Sequence, residues 1–106
     1  MRPLLFSLSL GLVASLGCAK DKPGDPPKGK VVFEQCSACH NADSADKKMG
    51  PGLKGLFQKP KLQNGKKPTA QNVLARIESG GGGMPPFKEM LTDQEKNDLI
   101  AYLKTL

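Results

Sequence analysis

Hydrophobic and polar positions divide the chain into three stretches. Apolar residues follow one another from Leu4 to Val13, proline and charged residues dominate 19–28, and apolar residues recur at helical spacing from Gly29 onward. Apolar positions three or four residues apart indicate a helix with one buried face, whereas strict alternation would indicate a strand. No convincing strand is visible, so the pattern predicts an all-α domain over 29–106.

The first predicted helix begins at Gly29 and runs into a pair of cysteines. Val32, Phe33 and Cys36 recur at i, i+1 and i+4, which places them on one side of this helix. A loop-rich stretch follows, and within it Asn64-Gly65 is a strong turn signal. The first helix is therefore expected to be separated from the next one by a long connection.

Two further helices are predicted from their end signals. Thr69 is an N-cap candidate for a helix that runs to Ser79 and is stopped by Gly80. Thr92 and Glu95 form a potential capping box for the last helix. The apolar residues expected in the core are Phe33, Leu56, Phe57, Leu74, Ile77, Phe87, Leu99 and Leu103.

The first 17 residues have the pattern of an export signal. Arg2 supplies a positive charge, Leu4 to Val13 is an apolar run too short to span a bilayer, and small residues follow. An N-terminal strand or core helix is the alternative, but a charged, proline-containing tract directly after the run fits neither. We therefore expect 1–17 to be a cleaved signal peptide and the mature protein to act on the periplasmic side of a bacterial membrane.

Cys18 directly follows this signal and resembles the acylated cysteine of bacterial lipoproteins. The lipoprotein pattern usually has leucine three residues before the cysteine, whereas this chain has Ser15 there and Leu16 one place later. Ordinary cleavage after Ala19 is the alternative, which would give a soluble periplasmic protein. Because an unpaired thiol is unusual in an oxidising compartment, we expect cleavage before Cys18 and a lipid anchor on it.

The next stretch, 18–28, reads as a flexible tether. It holds Pro23, Gly24, Pro26 and Pro27 among charged residues, a composition that cannot bury apolar area. An extended chain of this length would place the domain about 25 to 30 Å from its anchor.

Length and composition suggest that the domain needs a source of stability besides its apolar core. A chain of 106 residues forms at most one domain with a small core, aromatic residues make up 5% of it, and Trp is absent. A flat bound cofactor could replace the missing large side chains.

The five residues C-S-A-C-H at 36–40 indicate which cofactor. A C-x-x-C pair followed directly by histidine is the attachment signature of c-type haem, in which two thiols add to two vinyl groups and the histidine lies beneath the iron. A zinc site is the first alternative, but His40 is the only histidine. A thioredoxin-like redox pair is the second, but it would need alternating strands and helices. We predict that Cys36 and Cys39 attach one haem.

A haem iron bound only by His40 would keep one axial position open. Met49, Met84 and Met90 could fill it. Met84 stands out because four glycines precede it and two prolines follow it, so a flexible approach ends in a stiff turn. A methionine is more often core filler than a ligand, and the sequence pattern alone leaves both roles open.

Taken together, these motifs resemble the class I monohaem cytochromes c. The resemblance covers 29–106 and is carried by Gly29, Phe33, C-S-A-C-H at 36–40, G-P-G-L at 50–53, M-P-P-F at 84–87 and the final helix. It implies a cytochrome c fold, with three main helices and loops around one covalently bound haem c. It also implies that His40 and Met84 are the axial iron ligands and that the Pro51 carbonyl accepts the His40 ring N–H. The terminal helix would cross the first at Gly29, with Tyr102 and Phe33 packed around the crossing. Residues that bind the haem propionates have no clear counterpart.

The implied function is one-electron transfer between extracytoplasmic redox partners, without enzymatic activity. Two alternatives stay open: a haem-based ligand-binding or sensing module, and a tethered redox subunit of a larger membrane enzyme. The net charge is +6, and no acidic residue occurs from Lys47 to Lys67. These lysines form either a solvated face or a docking field for an acidic partner. No motif for nucleic acid accompanies them, and a monomer is expected.

Overall fold

The computed structural model describes residues 22–106, which form an all-α domain. Its helices are α1 (Pro26–Phe33), α2 (Ala70–Ser79) and α3 (Asp93–Leu103), with one 3₁₀ turn at Leu56–Gln58 in the long connection between α1 and α2. Within 22–106 there is no strand, and none of the helices is long and apolar enough to cross a membrane. The all-α prediction is therefore confirmed. The predicted signal peptide 1–17 and Cys18 lie outside the described residues.

The N-terminal boundary of the domain differs from the prediction. α1 begins at Pro26 rather than Gly29, since proline fits the first turn of a helix, where its missing N–H is not needed. Before it, the Lys22 N–H donates to Gln94 Oε1 at 2.8 Å, Gln94 Nε2 donates to the Lys22 carbonyl at 3.1 Å, and the Asp25 N–H donates to Asp98 Oδ1 at 2.8 Å. Residues 22–28 therefore belong to the folded domain and not to a flexible tether.

α1 and α3 cross in direct contact at Gly29. A Cβ atom there would overlap the Asp98 carbonyl and lie 2.7 Å from the Tyr102 Cβ, so only glycine allows this approach. The rings of Phe33 and Tyr102 pack beside the crossing with centroids 5.5 Å apart and planes tilted by 58°. The predicted crossing is therefore present.

Both predicted N-caps are present. Thr69 Oγ1 accepts the Asn72 N–H at 3.1 Å at the start of α2. Thr92 Oγ1 accepts the Glu95 N–H at 3.1 Å while Glu95 Oε1 accepts the Thr92 N–H at 3.0 Å, which is a complete capping box for α3. The starts of α2 and α3 are thus determined by local side-chain chemistry.

The core lies between the three helices and the long connection. Its buried apolar residues are Val32, Phe33, Leu53, Leu56, Val73, Ile77, Phe87, Leu91, Leu99, Ile100 and Leu103. Leu74 and Phe57, which were predicted in the core, are only half-buried against it. On α2 the buried face is centred on Val73 and Ile77, and Leu74 lies at its edge.

Candidate functional site

The C-x-x-C-H segment follows α1 and forms consecutive tight turns. The Cys36 N–H donates to the Phe33 carbonyl at 2.7 Å, and the N–H groups of Cys39 and His40 both donate to the Cys36 carbonyl, at 3.1 and 3.0 Å. α1 itself ends at Phe33, so the cysteines follow the helix rather than lie in it. The turns bring both half-buried thiols and His40 to the wall of one cavity.

His40 is held from one side by the segment Gly50–Leu53. Its Nδ1 lies 2.8 Å from the Pro51 carbonyl oxygen. A carbonyl can only accept, so Nδ1 carries the ring proton and the neutral imidazole has its lone pair on Nε2. The Gly50 N–H also donates to the Cys39 carbonyl at 2.8 Å, which ties this segment to the cysteine turns. The arrangement fixes the tautomer that a metal at Nε2 requires.

Gly50 packs directly against the His40 ring. A Cβ atom at this position would lie 2.7 Å from Nδ1 and 3.0 Å from Nε2, too close for nonbonded atoms. The ring therefore occupies space that any larger residue at position 50 would fill. This explains why glycine precedes Pro51.

Met84 is carried by a two-residue turn made of glycines. Gly82 and Gly83 have φ values of 60° and 93°, the left-handed pair typical of a type I′ turn. The turn is closed by the Gly81 N–H to the Met84 carbonyl at 2.9 Å and by the Met84 N–H to the Gly81 carbonyl at 3.1 Å. The half-buried Met84 side chain packs against the core at the cavity wall.

The other two candidate methionines are placed differently. Met49 borders the same cavity but is 82% exposed, and Met90 is 59% exposed and does not border it. A thioether needs shielding from water to compete as an iron ligand. Of the three methionine side chains, that of Met84 is the shielded one.

The cavity has a volume of about 470 Å³, within the range of roughly 300 to 1,000 Å³ that is typical of cofactor sites. Its apolar wall is formed by core residues, among them Phe33, Leu56, Val73, Ile77, Phe87 and Leu99. Two thiols, one imidazole and one thioether border the same space. Soft sulfur and nitrogen donors in an apolar pocket fit a covalently held iron porphyrin.

The surroundings of the Cys36 thiol change its pKa. Burial raises the pKa of the Cys36 thiol, and the nearby Cys39 raises it further. Within 22–106, no three His, Cys, Asp or Glu side chains converge as a metal cluster.

Several polar residues border the cavity although the sequence did not predict that they would lie there. They are Gln35, Lys59, Lys61, Gln63, Asn64 and Arg76. Lys59 Nζ donates to the Gly52 carbonyl at 2.9 Å, and Arg76 Nη2 donates to the Gly81 carbonyl at 3.1 Å. Arg76 had no usable signal, because one residue step turns a helix by about 100° and so places Arg76 beside the predicted apolar face rather than on it.

Comparisons with known proteins agree on one family. The family profile described as Cytochrome c matches residues 27–106. A cytochrome c6 of Synechocystis sp. is 35% identical over 101 residues, covering 89% of this chain and 75% of that protein. Cytochrome c2 iso-1 of Rhodospirillum centenum is 28% identical over 118 residues, covering 77% of this chain and 96% of that protein.

Solved structures give the same result for the fold. The structure of cytochrome c6 from the diatom Phaeodactylum tricornutum aligns with a TM-score of 0.58 and 28% identity, covering 77% of this chain and 93% of that one. Cytochrome c2 from Rhodospirillum centenum aligns with a TM-score of 0.60 at 23% identity, covering 77% of this chain and 98% of that one. At that identity the second match concerns the fold alone.

Proposed function

Because the chain belongs to the cytochrome c family, we propose that His40 and Met84 ligate the iron of its haem and that Cys36 and Cys39 hold the porphyrin. Family membership makes the protein a monohaem electron carrier with one covalent haem c, and not an enzyme. One observation carries the residue assignment: His40, Met84 and both cysteines border one apolar cavity.

The haem supplies an iron that changes its oxidation state by one electron. His40 would hold the iron through the Nε2 lone pair, and the hydrogen bond from Nδ1 to the Pro51 carbonyl keeps the ring oriented and makes it more basic. The Met84 thioether is a soft donor that favours the reduced metal, and the apolar wall disfavours the additional positive charge of the oxidised metal. These residues together favour a high reduction potential.

The ligand assignment is tested by absorption spectroscopy of the purified holoprotein. Ferric haem with a methionine ligand has a far-red absorption band, and we expect this band in the wild type and in Met90→Ala, but not in Met84→Ala. Carbon monoxide should bind the reduced Met84→Ala variant and not the wild type. A band that persists in Met84→Ala would overturn the assignment, and carbon monoxide binding by the wild type would favour the sensing alternative.

We also propose that the protein is exported through 1–17 and anchored by a lipid on Cys18. The sequence supports this proposal, and the fold adds a limit on distance. Lys22 is bonded to α3, so only four residue steps separate Cys18 from a fixed point of the domain. Four steps span at most about 14 Å, roughly half the distance expected for a free tether.

Intact mass of protein extracted from its native membrane tests the anchor. We expect the mass of a chain beginning at a diacylated Cys18, and we expect Cys18→Ser to appear in the soluble fraction. A mature chain that begins at Lys20 and carries the mass of haem but no lipid would show ordinary cleavage after Ala19. The same extraction tests the subunit alternative, because that alternative requires co-purification with a larger enzyme in fixed stoichiometry.

We further propose that the lysines between Lys47 and Lys67 dock an acidic redox partner. Lys59 and Lys61 border the cavity, so the positive field extends to the site itself. Among residues 22–106 both ion pairs belong to Lys96, which pairs with Glu78 and Asp93, so the lysine charges are not neutralised by salt bridges there. Steering of this kind raises association rates by about 10- to 1,000-fold at low salt.

Oxidation by anionic hexacyanoferrate(III) provides the test. We expect its rate constant to fall steeply with ionic strength and to decrease in Lys61→Gln. Lys30→Gln is the matched control, because Lys30 is an exposed residue of α1 away from the cavity and its loss changes the net charge equally. Equal rates for the two variants, or a rate insensitive to salt, would contradict a docking field at the site.

A further inference from the structure

Arg76 contacts the methionine turn through its side chain. It lies on α2, and its Nη2 donates to the Gly81 carbonyl at 3.1 Å. Its guanidinium also lies close to the glycines, because a Cβ atom at Gly81 would lie 2.9 Å from Nη1 and one at Gly82 would lie 3.2 Å from Nη2. The missing side chains at 81 and 82 are what make room for the guanidinium.

The carbonyl that Arg76 binds belongs to the turn that carries Met84. Gly81 O accepts the Met84 N–H at 3.1 Å and the Arg76 guanidinium at the same distance. Both of its acceptor positions are thus used, one inside the turn and one by a helix. The guanidinium therefore contacts the turn at its closing bond.

Backbone contacts of Gly80 and one side chain hold the entry to this turn. Gly80 is buried against the backbone of Met84 and Pro85, and its N–H donates to the Arg76 carbonyl at 2.8 Å. Residues 80–83 are all glycines with positive φ, so they have no side chains to pack and lose more backbone entropy than other residues when they are ordered. After the turn, the Phe87 N–H donates to the Ile77 carbonyl at 2.9 Å and so fixes the exit to α2. On the entry side, the hydrogen bond from the Arg76 side chain connects the turn to α2.

We propose that Arg76 is a positioning residue that holds the Met84 turn against α2 and thereby determines how readily the thioether leaves the iron. The proposal rests on the proposed ligation by Met84. It predicts that loss of the guanidinium leaves the fold and the position of His40 unchanged. Other ligands should then displace Met84 from the iron more easily.

Titration of the ferric holoprotein with imidazole measures this competition. We expect Arg76→Ala to bind imidazole about 3- to 10-fold more tightly than the wild type, the range that loss of one hydrogen bond supplies. Arg76→Lys keeps the charge and one donor but loses the planar fork, so it should bind with intermediate affinity. Gln71→Ala is the control, because Gln71 is an exposed residue of the same helix that does not border the cavity, and its affinity should be that of the wild type.

A double-mutant cycle with Met84→Ala separates this proposal from the ligand assignment. If Arg76 acts through the turn, its replacement should have no effect on imidazole binding once Met84 is absent. An equal effect in both backgrounds would mean that Arg76 acts on the pocket directly, and the positioning role would be overturned. Unchanged imidazole affinity in Met84→Ala alone would instead refute the ligation by Met84. If Arg76→Ala does not fold, the cycle is made with Arg76→Lys.

Discussion

Replacing Gly50 with alanine tests how closely the backbone supports His40. The new methyl group would lie 2.7 Å from Nδ1 and 3.0 Å from Nε2, whereas nonbonded atoms pack at about 3.5 to 4.0 Å. Either the ring or the backbone must therefore move by roughly 1 Å. Ring movement lengthens the bond from Nδ1 to the Pro51 carbonyl, and backbone movement lengthens the bond from the Gly50 N–H to the Cys39 carbonyl; both are 2.8 Å long.

The expected cost is about 1 to 3 kcal/mol for the overpacking, with about 1 kcal/mol more if one of the two hydrogen bonds is lost. Denaturant unfolding of the holoprotein measures it, and the ferric absorption spectrum reports any change at His40. Gly65→Ala is the comparison: its φ of 81° costs alanine about 1 to 2 kcal/mol, but no atom lies within 4 Å, so the haem spectrum should not change. A Gly50→Ala protein with the wild-type midpoint and spectrum would refute the steric argument.

The remaining predictions concern the helices and the cofactor. Gly29→Ala should lower the free energy of unfolding by about 1 to 3 kcal/mol, because the methyl group overlaps the Asp98 carbonyl and forces α1 from α3; an unchanged unfolding midpoint would contradict this. Thr92→Ala should cost about 1 kcal/mol through loss of the capping box, and urea unfolding would show a smaller effect if water replaced the cap. A Cys36→Ala, Cys39→Ala chain that matures without haem should lose its cooperative thermal transition, because a cavity of about 470 Å³ is left without the cofactor that fills it. A sharp transition in calorimetry would show that the apolar side chains suffice.

Local signals determined what the sequence could predict. Thr69 and Thr92 accept N–H groups three residues away, so the starts of α2 and α3 follow from residues that are neighbours in the sequence. The C-x-x-C-H motif similarly places two thiols and an imidazole within five residues. These features require no knowledge of the rest of the fold, and α2 and α3 begin where they were predicted to begin.

Long-range contacts account for the differences. Residues 22–28 have the composition of a tether, but the amide of Gln94, far along the chain, bonds to the Lys22 backbone in both directions. Val73 and Leu74 both stand at helical spacing from Ile77, so the apolar pattern does not decide which of them is buried. That depends on how α2 is rotated against the core, and the structure buries Val73. The contact from Arg76 to Gly81 depends on the course of a glycine loop that has no pattern of its own.

The bonds between Lys22 and Gln94 also bear on the order of folding. They join residues that are 72 positions apart, so they cannot form before nearly the whole domain has been brought into a closed loop. Closing such a loop has an entropic cost that the short helices cannot offset individually, and rates decrease as contacting residues lie farther apart in the chain. The kinetic barrier should therefore lie at the encounter of the first and last helices, with the capped helix ends forming in advance on a much faster timescale.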